Sequence, residues 1–125
     1  MNIKPTDSEL EILNILWQRG PSTVREVHVE IEKYKEAGYT TTLKLMQIMN
    51  EKKLLKRDER NKSHVYTASV SQEAAQGQLV KRMIDNVFNG SASRLVMQAL
   101  GNHKPNSKEL DEIKKYLEEI EKKSK

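Results

Sequence analysis

The residues best suited to chemistry in this sequence are suited to holding a polyanion and reading the edges of bases. Thr41, Lys44, Gln47 and Ile48 recur three or four residues apart, with Thr40 just before them, so a helix would carry them together on one side. On such a side Gln pairs with adenine, the methyl groups of Thr and Ile meet thymine methyls, and Lys reaches a base or a phosphate; a good bidentate pair gives roughly 1–3 kcal/mol of discrimination. Arg60 and Lys62 lie in the polar stretch from Glu59 to Ser63, with Asn61, Ser63 and His64 close by. Cations there contact phosphates, which positions a protein without reading sequence. Thr23 and Arg25 open another helix, where free backbone N–H groups and the helix dipole favour an anion.

Other chemistries find no support. The chain has no cysteine, which removes disulfides, thiolate metal sites and thiol catalysis together. His28, His64 and His103 fall on different elements without the paired spacing of a helical metal site. No phosphate loop or nucleotide-binding glycine pattern occurs, and the Gly-x-Ser at Gly90 lacks the closing glycine of a nucleophile elbow. Glu118 and Glu119 sit in a charged helix near the C-terminus, where solvation is the expected role. The expectation is a non-enzyme with no catalytic residues, no metal and no cofactor.

The elements that must position these groups follow from the pattern. Thr6 and Glu9 have capping-box spacing and start a first helix running to about Arg19, its apolar stripe formed by Leu10, Leu13, Leu16 and Trp17, with Gly20-Pro21 as the stop. Trp17 is expected in the N-terminal core. Thr23 and Glu26 repeat the capping spacing and open a second helix with Val24, Val27 and Ile31 on one face and Tyr34 near its end, before Gly38 breaks the chain. A third helix, capped by Thr40 or Thr41 and reaching about Lys53, turns Thr42, Leu45, Met46 and Met49 inward, which leaves Thr41, Lys44, Gln47 and Ile48 outward. Leu54–Asp58 and His64–Ala68 then read as two strands of a charged hairpin. Three short helices and a hairpin make the winged helix-turn-helix plan, in which the third helix enters the major groove and the wing follows the backbone.

Beyond it the pattern is helical again. Ser71 caps a fourth helix with Leu79, Met83 and Val87 at four-residue intervals, ending at Asn89-Gly90. Ser91 or Ser93 starts a fifth containing Leu95, Val96, Ala99 and Leu100, the stretch from Gly101 to Asn106 is a loop, and Ser107 begins a last helix whose seam is Leu110, Ile113, Leu117 and Ile120. That narrow seam on a charged surface calls for a second copy to cover it. The expected fold is mostly α with a small β-hairpin: a winged-helix DNA-binding domain over residues 1–70 and a helical dimerisation domain over 71–125. The dimer is expected to be closed by Leu79, Met83, Val87, Leu95, Val96, Leu110, Ile113, Leu117 and Ile120.

Size and charge agree with this division. A chain of 125 residues supports one core and an appendage more readily than two independent cores. Its net charge of +4 is matched by the window from Lys44 to Lys62, where seven basic residues face Glu51, Asp58 and Glu59. Mean hydropathy is −0.78 and no apolar run approaches the roughly 20 residues of a spanning helix. Met1-Asn2-Ile3-Lys4-Pro5 leads straight into a polar cap without a signal-like apolar region, so a cytoplasmic protein with no membrane insertion is expected.

Several segments together resemble the penicillinase and methicillin-resistance repressor family (BlaI/MecI): Leu10-Glu11-Ile12-Leu13-Asn14-Ile15-Leu16-Trp17, Thr23-Val24-Arg25-Glu26-Val27, Tyr39-Thr40-Thr41-Thr42-Leu43 and Val65-Tyr66. Gly90 followed by Leu95-Val96-Met97-Gln98-Ala99-Leu100 is similar to that family's dimerisation region. The resemblance implies a homodimeric repressor on inverted-repeat operators of β-lactam resistance or related genes, inactivated through a sensor-linked protease. Members cleaved in this way carry an Asn-Phe pair in the fifth helix, and Gln98 and Ala99 stand in its place. A copper-sensing branch uses a C-terminal cysteine cluster, which this chain lacks.

Two functions stay open at this point. One is the operator-binding repressor; the other is a winged-helix module whose third helix or wing binds a protein, because a fold does not fix a function.

Overall fold

A computed structural model describes residues 5–124. The elements run α1 (Asp7–Arg19), β1 (Ser22–Thr23), α2 (Val24–Glu32), α3 (Tyr39–Glu51), β2 (Leu55–Asp58), β3 (Val65–Ala68), α4 (Gln72–Asn86), α5 (Ala92–Asn102) and α6 (Ser107–Lys123). Helices dominate, and the strands form one antiparallel sheet in the order β1-β3-β2. This is a winged-helix fold with a helical C-terminal region. The chain divides into two compact units, with the boundary between Leu79 and Val80 inside α4.

Local chemistry starts the first two helices where their spacing says it should. At α1 the Thr6 hydroxyl accepts from the Glu9 N–H and the Glu9 carboxylate accepts from the Thr6 N–H; Thr23 and Glu26 do the same at α2. Gly20, at φ 87°, ends α1 and lets the chain reverse into β1, a conformation a side chain would strain. The wing is accordingly three-stranded rather than a bare hairpin: Ser22 pairs with Tyr66 and Thr23 with Val65, on the far side of β3 from β2. Two residues carry no readable period, so only the pairing partner reveals them as a strand.

The core of the first unit gathers Ile12, Leu13, Ile15 and Leu16 from α1, Val24, Val27 and Ile31 from α2, Met46 and Met49 from α3, and Leu54, Leu55 and Tyr66 around the sheet. The buried face of α1 is therefore wider than the expected stripe. Ile12 and Ile15 are inside, while Leu10 and Trp17 are only partly buried against the cluster. Trp17 sits at the core's edge because its indole Nε1–H donates to the Val70 carbonyl at 2.9 Å. Tyr34 lies past the end of α2 and is exposed.

The third helix starts earlier than its threonines suggest. Gly38 takes the cap position without a side-chain bond, and Thr40 and Thr41 lie inside the helix, whose first turn is closed by the Gly38 carbonyl accepting from Thr41 and Thr42. Thr42, Met46 and Met49 are buried as expected, whereas Leu45 is only half-buried. Lys53, at φ 67°, ends the helix in the left-handed region and returns the Leu54 N–H to the Met49 carbonyl.

The second unit is built from the end of α4 with α5 and α6. Helix α4 stops at Asn86, before Asn89 and Gly90 turn the chain at positive φ; the Ser91 hydroxyl, not Ser93, caps α5 by accepting from Arg94 N–H. Helix α5 continues to Asn102, and Asn106 rather than Ser107 caps α6, its side chain accepting from Glu109 N–H. Neither α5 nor α6 contains a buried residue. Met83, Val87, Val96, Leu110, Leu117 and Ile120 are exposed, while Leu79 of the first unit and Leu95 and Ile113 of the second are half-buried.

Candidate nucleic-acid interface

The start of α2, the outer side of α3 and the wing enclose a concave surface of about 380 Å³. Thr23, Val24 and Arg25 line it from α2, Tyr39, Leu43 and Gln47 from α3, and Arg57, Lys62, Ser63, His64 and Tyr66 from the wing. Of the residues singled out in the sequence, Thr23, Arg25, Gln47 and Lys62 come together here. Thr40, Thr41 and Lys44 are exposed on α3 outside this lining, and Ile48 is half-buried, at the margin of the outward face rather than on it.

The cations differ in how they are held. Arg60 is folded back on Asp58, with Nε at 3.0 and 3.1 Å and Nη2 at 2.7 Å from the carboxylate oxygens. These bonds, with the Arg60 backbone N–H on the same carboxylate, hold the Asp58 pKa down at about 2. Arg60 therefore enters its wing already paired, on a face lined by Lys56, Glu59 and Val65 and apart from the concave surface. Arg57 pairs with Glu59, and a hydrogen bond with Tyr66 is the main cause holding its guanidinium further toward the charged form. Arg25, Lys44 and Lys62 form no ion pair among the described residues.

The helix start at Thr23 is partly occupied by its own cap. Glu26 lies against the Thr23 N–H, a bond that lowers its pKa, and also meets Arg19 at 3.1 Å. Thr23 contributes shape and a capped backbone to the surface, while the mobile positive charge belongs to Arg25. Beneath the surface His28 is buried, its Nδ1 2.9 Å from the Thr42 hydroxyl and its Nε2 3.4 Å from Glu32. No group of histidines and carboxylates that could hold a metal occurs among the described residues.

The sequence reading missed Tyr39, Leu43 and Arg57. Arg57 was detectable as a strand residue beside Asp58, but its orientation depends on Tyr66 across the sheet, paired with it in register. Tyr39 follows the helix-breaking Gly38 and reads as a helix flank until α2 is placed beside it.

A recognition-type helix beside a three-stranded wing makes this a protein of the winged-helix class. The penicillinase repressor family matches residues 5–119, and the chain belongs to that family. It is similar to the penicillinase repressor of Staphylococcus aureus, 27% identical over 116 residues that cover 93% of this chain and 92% of the relative. The penicillinase repressor of Bacillus licheniformis is 22% identical over 114 residues, covering 91% and 89%. The methicillin resistance regulatory protein MecI of Staphylococcus aureus strain N315 is 22% identical over 112 residues, covering 90% and 91%. Among solved structures, an alanine mutant of Lactococcus lactis ZitR aligns at TM-score 0.48 and 16% identity over 100% of this chain and 79% of that one. The family is one of transcriptional repressors, not enzymes. No helix among the described residues is long and apolar enough to cross a membrane.

Proposed function

We propose that the protein is a sequence-specific DNA-binding repressor that acts as a homodimer on an inverted-repeat operator, with residues 1–70 reading DNA and 71–125 making the dimer. The observation that carries this reading is the concave surface on which Gln47, a base-pairing side chain, stands between two cations without carboxylate partners, Arg25 and Lys62. A duplex supplies what that surface lacks: phosphates for the cations and base edges for the amide. Thr40, Thr41, Lys44 and Ile48 extend the reading along α3, and Arg60 joins on the wing once its pair with Asp58 opens. Thr23 fixes the entry of α2.

The exposed side chains of Met83, Val87, Val96, Leu110, Leu117 and Ile120, with Leu79, Leu95 and Ile113 beside them, form the dimer surface. A two-fold dimer would place its reading helices on successive major grooves. The names of the relatives point to penicillinase and methicillin-resistance genes as the class of target.

Footprinting of the purified protein on its own promoter region across a salt series tests this. Protection of an inverted repeat, weakening steeply as salt rises, is expected because phosphate neutralisation releases counterions. A folded protein that protects nothing at any salt would leave the third helix or wing as a protein-binding surface instead.

A further inference from the structure

Among the arginines of the winged-helix unit, Arg25 is distinguished by what holds it. Arg19 meets Glu26 and Glu30, Arg57 meets Glu59, and Arg60 meets Asp58. The Arg25 guanidinium instead lies over the ring of Tyr39, its carbon 4.9 Å from the ring centroid. An aromatic face orients a cation through its quadrupole and leaves the charge available, whereas a carboxylate spends it. Arg25 is in the first turn of α2 and Tyr39 opens α3, so the contact bridges the two helices of the helix-turn-helix.

The platform is itself fixed from below. The Tyr39 ring meets His28 edge-on, centroids 5.6 Å apart and planes at 78°, and buried His28 is bonded to buried Thr42 at 2.9 Å. The Tyr39 hydroxyl has no hydrogen-bond partner among the described residues, so the ring and not the hydroxyl is the working part. Arg25 and Tyr39 both line the concave surface that holds Gln47 and Lys62.

We propose that Tyr39 is a positioning residue for recognition: it carries Arg25, still fully charged, toward a backbone phosphate of the bound duplex, and the His28–Thr42 pair sets its angle. This rests on the operator-binding reading. An aromatic seat restricts a long, flexible side chain before binding, so less freedom is lost when the phosphate arrives.

The test measures operator affinity of the full-length chain across a salt series. Arg25→Ala should weaken binding about tenfold and lower the slope of log affinity against log salt by about one, the signature of one phosphate contact. Tyr39→Leu should weaken binding about three- to tenfold, Tyr39→Phe should bind like the parent, and the double variant Arg25→Ala/Tyr39→Leu should be no weaker than Arg25→Ala alone. Tyr39→Met serves in place of Tyr39→Leu if the latter does not fold. Additive losses in the double variant, unchanged affinity without the ring, or a Phe variant as weak as Leu would each overturn the proposal. Absence of operator binding by the parent chain would overturn the operator reading itself, and is seen before any variant is made.

Discussion

Glu9 and Lys52 join the start of α1 to the end of α3 across 43 positions, the ammonium lying 2.9 and 3.2 Å from the carboxylate oxygens. Glu9 is 2% exposed and Lys52 stands at the C-cap of α3. Burial alone would raise the Glu9 pKa, but the Thr6 N–H and Lys52 outweigh it and hold the carboxyl below its usual value. A folded-state pKa below the unfolded one contributes stability that is present above the usual carboxylate range and lost as pH falls through the folded value. The thermal midpoint is therefore expected to drop on acidification through that range. Glu9→Gln should flatten the acid dependence and cost about 1 kcal/mol at neutral pH, a modest figure because Lys52 is half exposed and screened by solvent. Thermal melts of both proteins from neutral to acid pH check this; parallel curves would contradict it.

Asp58 holds Arg60 away from any incoming phosphate. Asp58→Asn should release the guanidinium, raise DNA affinity a fewfold at low salt and steepen the salt dependence by up to about one phosphate equivalent. Fluorescence anisotropy with labelled duplex reads both quantities. An unchanged slope would place the wing tip beyond the reach of the backbone.

Gln47→Ala is expected to reduce discrimination between operator and unrelated duplex by about 1–3 kcal/mol while leaving the salt slope alone. Lys44→Ala should weaken specific binding, and the dimer should persist in both variants. Unchanged operator affinity in both would remove α3 as the reading helix.

Leu117 is 55% exposed on a helix with no buried residue. Burying such a side chain against a second copy makes it intolerant of charge, so Leu117→Asp should sediment as a monomer at micromolar concentration where the parent is a dimer. A variant that still sediments as a dimer would move the interface elsewhere.

What could be read from the sequence was local. The caps at Thr6 and Thr23 were readable because donor and acceptor lie three residues apart, and the inward side of α3 because Thr42, Met46 and Met49 repeat at helical period. Features set by distant partners were hidden. Strand β1 exists only because β3 offers Tyr66 and Val65, Gly38 displaces the threonines as the cap of α3, and the wing tip spends Arg60 on Asp58. The same limit explains the interface: Gln47 and Lys62 were found by residue type and position, while Tyr39 gained its meaning only when Arg25 came to rest on it.

The bond from the Trp17 indole to the Val70 carbonyl closes a loop of 53 positions within the first unit, and this is the chain's single tryptophan. Indole emission therefore belongs wholly to the winged-helix unit. The second unit has only Phe88 and Tyr116 as aromatic residues. One sample thus carries a built-in optical label on one half, and melting of that half can be followed by light while events among the C-terminal helices pass almost unseen.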